Sequence, residues 1–137
     1  MNTFFAQSLL RLISLEVPEE LEAAIDALYE AVWTRDENVE DAQVLQKILA
    51  DDGILGDDSK RKEFVEKAFS KEAKSALAQE SKDLVENGCF GAPWIVATRP
   101  SDGQVSRFFG SDRFEILAAH LQLPYLGPLA NGSTPKL

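Results

Sequence analysis

Residues 87–113, Asn-Gly-Cys-Phe-Gly-Ala-Pro-Trp-Ile-Val-Ala-Thr-Arg-Pro-Ser-Asp-Gly-Gln-Val-Ser-Arg-Phe-Phe-Gly-Ser-Asp-Arg, constrain the fold of this chain more than any other stretch. Within a few residues the hydrophobic period changes from helical to extended. Asn87-Gly88 stops a helix, since glycine is at home in the left-handed cap. Gly91-Ala92-Pro93 makes a turn at the mouth of Trp94-Ile95-Val96-Ala97, a continuous apolar run that reads as a strand covered on both faces. Pro100-Ser101-Asp102-Gly103 is turn chemistry and closes a hairpin onto Val105–Phe109. Ser111 or Asp112 then caps a final helix whose apolar positions are Phe114, Ile116, Leu117 and Leu121.

Everything before this stretch reads as helix. Phe5, Leu9, Leu12 and Ile13 space a first amphipathic segment, which Val17-Pro18 ends. Pro18 with Glu19-Glu20 opens a second helix, where proline costs no hydrogen bond and acidic groups suit the helix dipole. The predicted inner face of that helix is Leu21, Ile25, Leu28 and Val32. A third helix begins at Asp41, with Val44, Leu45, Ile48 and Leu49 inward. A loop through Gly53 and Gly56-Asp57-Asp58 leads to a fourth helix, which Ser59 is expected to cap, with Phe64, Val65, Ala68 and Phe69 apolar. A fifth runs from about Lys71 to Glu86 on Ala73, Ala76, Leu77, Leu84 and Val85. The expected organisation is one mainly helical α+β domain. It comprises a helical part at 1–87, a hairpin-and-helix half at 88–123 and an irregular Pro- and Gly-containing tail at 124–137.

Composition removes several function classes. A chain of 137 residues with 45% hydrophobic and 27% charged residues is an ordinary globule with room for a core. Its net charge of −9 argues against a nucleic acid or an anionic membrane surface as partner, because both require basic surface. No apolar run approaches the roughly 18 residues that span a bilayer. The N-terminus lacks the basic and apolar regions of a secretory signal. A single cysteine forms no internal disulfide, as expected of a reducing compartment. Metal-ligand spacing is absent. Cys89 has no second cysteine at Cys-X-X-Cys spacing and no basic neighbour, and reads as a small buried residue. His120, the lone histidine, reads as structural or solvated, and Trp94 as wall or core.

Four segments in collinear order carry a family resemblance. They are Arg11–Pro18 with Leu28-Tyr29-Glu30-Ala31-Val32-Trp33; Arg35-Asp36-Glu37-Asn38-Val39 leading into the Val44–Asp51 helix; Gly88-Cys89-Phe90-Gly91-Ala92-Pro93-Trp94; and Phe108-Phe109-Gly110-Ser111-Asp112-Arg113 with its helix and a Leu126-Gly127-Pro128 exit. The chain resembles the C-terminal part of the kappa-class glutathione transferases, relatives of the DsbA-like oxidoreductases. The resemblance implies a truncated thioredoxin fold in which Ala92-Pro93 is cis, a helical insertion precedes the hairpin, and a C-terminal helix follows it. It implies glutathione as cofactor. Ser111 and Asp112 would hold the γ-glutamyl end, and the backbone at Ala92 and Pro93 would pair with the cysteinyl unit. Residues 1–40 match neither the first strand of that fold nor its thiol-activating serine, so no catalytic residue is assigned.

The residues by themselves leave alternatives open. A helix start binds small anions, and a hydroxyl beside a carboxylate suits an amino-acid head group; the same Ser-Asp pair also serves as a plain cap. Two function classes follow. One is a transferase-like or isomerase-like enzyme whose pocket, between helices and hairpin, takes a small apolar substrate. The other is a non-catalytic binding or dimerisation module. An open Trp94–Ala97 edge would recruit a second copy or another partner. The ending Pro135-Lys136-Leu137 resembles a peroxisomal signal, with cytoplasm as the alternative address.

Overall fold

The computed structural model describes residues 2–127, and the chain falls into two compact units that part between Asp83 and Leu84. The first unit is helical. It contains α1 (Phe4–Glu16), a 3-10 turn at Pro18–Glu20, α2 (Leu21–Trp33), α3 (Ala42–Asp51) and α4 (Asp58–Ala68). α5 (Lys71–Glu86) runs through the division. The second unit holds β1 (Trp94–Thr98), β2 (Val105–Phe109), a 3-10 turn at Ser111–Arg113 and α6 (Phe114–Leu121). This is a mainly helical α+β chain. The Pro135-Lys136-Leu137 ending lies outside the described residues.

The core of the helical unit draws on all of its first four helices. Leu9 and Ile13 of α1, Leu45, Ile48 and Leu49 of α3, and Val65 of α4 are fully buried. α2 differs from the expected face. Ala24, Ala27, Leu28 and Ala31 are its buried residues, while Leu21, Ile25 and Val32 are only half-buried. The seam is rotated toward the alanines because small side chains let neighbouring helix axes approach.

The turn between α3 and α4 is held by groups that periodicity does not reveal. Buried Arg61 donates from Nε to the Ile54 carbonyl at 2.8 Å and from a terminal nitrogen to the Gly56 carbonyl at 2.8 Å. The Leu55 N–H donates to Glu20 Oε2 at 2.7 Å. The helix cap is Asp57 rather than Ser59. Asp57 has extended backbone and its carboxylate accepts from the Lys60 N–H at 2.9 Å, which leaves Ser59 inside the first turn. On α5 only Ala73 is buried, and Leu84 and Val85, expected inward, are exposed.

In the second unit β1 and β2 pair antiparallel with Trp94 opposite Phe109, Val96 opposite Arg107 and Thr98 opposite Val105. Alternation puts these six on one face, and Ile95, Ala97, Ser106 and Phe108 on the other. The second face meets α6, whose His120 Nε2 lies 3.2 Å from the Ala97 carbonyl oxygen and whose ring sits 5.7 Å from Phe108. His120 is therefore structural. The strand is not covered on both faces as expected: Ala97 is buried but Val96 is 54% exposed. A two-stranded sheet with one helix covers one face only.

Asp102 organises the hairpin turn. Its two carboxylate oxygens accept from Arg99 at 2.9 and 2.7 Å, and Oδ1 also accepts the Gln104 N–H at 3.0 Å. The Arg99 hydrogen bonds, and then the Gln104 amide, hold the Asp102 carboxyl at about 2, below its ordinary 3.8. A carboxylate with a lowered folded-state pKa stabilises above its unfolded value and loses that contribution as pH falls through the folded one. The turn's contribution is thus expected to be intact above pH 3.8 and to disappear as pH falls toward 2. A carbon-detected NMR titration of the Asp102 carboxyl checks this. A midpoint near 3.8 would contradict the hydrogen-bonded geometry.

Candidate functional site

The functional positions expected from the sequence gather at one end of the hairpin. The Ala92-Pro93 bond is cis, and Pro93 leads directly into β1. Trp94 pairs with Phe109 in the last register position, and one residue further the Gly110 N–H donates to the Pro93 carbonyl at 3.1 Å. That bond ties two segments seventeen residues apart in sequence. Ala92 stands one residue before the tied pair, and Ser111 and Asp112 follow directly after it. All three are exposed. The Ala92 N–H and C=O make no hydrogen bond with another described residue, so a ligand strand can use both.

Gly110 shapes the site. Its φ of 100° with ψ of 147° lies in a region essentially confined to glycine. A Cβ there would come within 2.6 Å of Asp112 Oδ1, so the carboxylate folds back over the space that glycine leaves. The Arg113 Nε sits 3.5 Å from the same oxygen. Neither Ser111 nor Asp112 caps a helix. The 3-10 turn has Gly110 at its cap and α6 has Arg113, with no side-chain cap hydrogen bond at either. The helix begins a turn later than expected, at Phe114, because the 3-10 turn intervenes. The Ser111 hydroxyl and the Asp112 carboxylate are thereby left for other partners.

Three aromatic rings cluster at the Gly91-Ala92-Pro93 turn, of which the sequence singles out only Trp94, as wall or core. Phe90 packs 4.7 Å from Phe109 and 5.4 Å from Trp94, centroid to centroid. The Phe109 ring lies over Gly91, where an added Cβ would meet its Cε2 at 2.6 Å. Phe90 nevertheless remains 74% exposed, so the cluster is an open platform. The available signal was the placement of Phe90, Trp94 and Phe109, aromatics on both sides of the Gly-Ala-Pro turn and at its register partner. Cys89 is half-buried rather than buried, with Sγ 3.5 Å from the Gly91 carbonyl oxygen. Among the described residues no cluster of three or more His, Cys, Asp or Glu could hold a metal ion, and no helix is long and apolar enough to cross a membrane.

The arrangement offers an anion, a hydroxyl, a flanking guanidinium, and a free backbone donor and acceptor. Together these can take an amino-acid-like head group and the extended peptide attached to it. Human glutathione S-transferase kappa 1 is 32% identical over 132 residues, covering 96% of this chain and 57% of that protein. The rat protein of the same name is 31% identical over 128 residues, covering 93% and 55%. Glutathione S-transferase kappa 2 of Caenorhabditis elegans is 37% identical over 67 residues, covering 49% and 30%. The chain spans about half the length of the two mammalian relatives. The DSBA-like thioredoxin domain model matches residues 2–122. With that match over most of its length, the chain belongs to the DSBA-like thioredoxin domain family.

Proposed function

We propose that this chain binds glutathione at the open end of its hairpin and acts as a kappa-type glutathione transferase-like protein on a small apolar substrate. The observation that carries this reading is the Gly110–Pro93 hydrogen bond, which sets Ala92 beside Ser111 and Asp112. The Asp112 carboxylate meets the α-ammonium of the γ-glutamyl unit. The Ser111 hydroxyl donates to its α-carboxylate, and Arg113 adds a positive charge on the same side. The Ala92 N–H donates to the cysteinyl carbonyl and the Ala92 C=O accepts from the cysteinyl N–H, as in strand addition. When bound, glutathione brings the reactive thiol. The exposed Phe90 ring offers apolar surface for a substrate next to it.

Calorimetric titration with reduced glutathione tests the reading. Ser111→Ala and Asp112→Asn are each expected to weaken binding by about 1 kcal/mol, the low end for charge-assisted bonds because both groups are exposed. Cys89→Ala is expected to leave affinity unchanged, since Sγ faces the Gly91 carbonyl. Equal affinity in all four proteins, or heat no greater than dilution, would remove the glutathione site.

A further inference from the structure

The helical unit carries a groove of about 400 Å³ between α1 and α2, a volume in the range of small-molecule pockets. Leu28 and Val39 of the buried core form its floor. Tyr29 and Trp33, one turn apart on α2, line it while remaining 63% and 78% exposed. Among the described residues no Asp, Glu, Lys or Arg lines the groove, although 27% of the chain is charged. Desolvating an ion against such a wall is unfavourable. One end is polar: the Gln7 amide nitrogen donates to Thr3 Oγ1 at 2.9 Å. The Gln7 carbonyl oxygen has no partner among the described residues and can accept one hydrogen bond. A protein helix is about 10 Å across and rises about 5.4 Å per turn, so this space holds only about one turn of a partner helix.

From the volume, the uncharged wall and the two exposed aromatic rings we infer that the groove binds an uncharged, mainly aromatic small molecule with one hydrogen-bond donor. The inference stands apart from the glutathione reading and does not require it.

N-phenyl-1-naphthylamine has this chemistry and fluoresces more strongly out of water. The chain has two tryptophans, Trp33 and Trp94, so Trp94→Phe leaves Trp33 as the sole indole. Titrating the probe into that variant is expected to quench Trp33 emission saturably while probe emission rises. In the otherwise unaltered chain, Trp33→Ala is expected to weaken binding about tenfold by probe emission, through lost aromatic contact. Leu10→Arg, which puts a charge into the lining, is expected to weaken it at least as much. Circular dichroism separates either effect from unfolding, and Leu15→Ala, an exposed position on α1 outside the lining, is expected to leave probe affinity unchanged. Absence of saturable quenching, or full affinity in both groove variants while folded, overturns the inference. So does a dimer that Trp33→Ala dissociates in a protein that binds no probe, because the groove's occupant is then a second copy.

Discussion

Leu9→Ala is expected to lower the free energy of unfolding by about 2–5 kcal/mol, through lost transfer energy and the cavity left behind. Leu9 is fully buried on α1 and belongs to the cluster that joins α1 to α2, α3 and α4. Leu15→Ala on the same helix is the control, because Leu15 is 63% exposed and surface changes usually stay within about 0.5 kcal/mol. Urea unfolding followed by circular dichroism measures both. Similar midpoints for the two variants would mean that α1 does not form the centre of the helical core.

Gly110→Ala is the second large effect, and it bears on function. Alanine at this φ and ψ carries strain of about 1–3 kcal/mol, and its Cβ would collide with Asp112 Oδ1. Relief requires either moving the Asp112 carboxylate or breaking the bond from Gly110 to the Pro93 carbonyl. Both disassemble the proposed site. The variant is therefore expected to lose more glutathione affinity than Ser111→Ala, together with a measurable loss of stability. Gly103→Asn is the contrasting change. Gly103 also has positive φ, but nothing lies within 4 Å of its added Cβ, and asparagine tolerates that conformation. Wild-type affinity and stability in Gly110→Ala would show that the loop repacks freely.

These contrasts mark what one sequence reveals. The hairpin was legible because Pro100–Gly103 has turn chemistry and the flanking strands are apolar and extended. Helices α3 and α4 were legible from Leu45, Ile48, Leu49, Phe64, Val65 and Ala68, which recur at helical spacing and are all buried. The α2 seam was missed because alanines carry little hydrophobic signal, yet they are the residues that close packing selects. The Asp57 cap and the Arg61 clamp were missed because each depends on where a polar group points, which periodicity does not encode. At the candidate site, the family resemblance alone points to Ala92, Pro93, Ser111 and Asp112, and it does not give their connection. The bond between Gly110 and Pro93 is a product of strand register, and register appears only once the hairpin is folded. For the same reason the displacement of the α6 start by a 3-10 turn, which leaves Ser111 and Asp112 out of any helix cap, could not be read from the Ser-Asp pair.

The central claim is that the open end of the hairpin, opposite its Pro100–Gly103 turn, receives glutathione. The most direct measurement is a ¹H–¹⁵N correlation spectrum of the protein titrated with reduced glutathione. The amide signals of Ala92, Gly110, Ser111 and Asp112 are expected to shift together along one binding curve, while those of buried residues in α3 and α4 stay in place. Saturating glutathione that leaves those four amides unmoved, or that moves only signals from the helical unit, would contradict it.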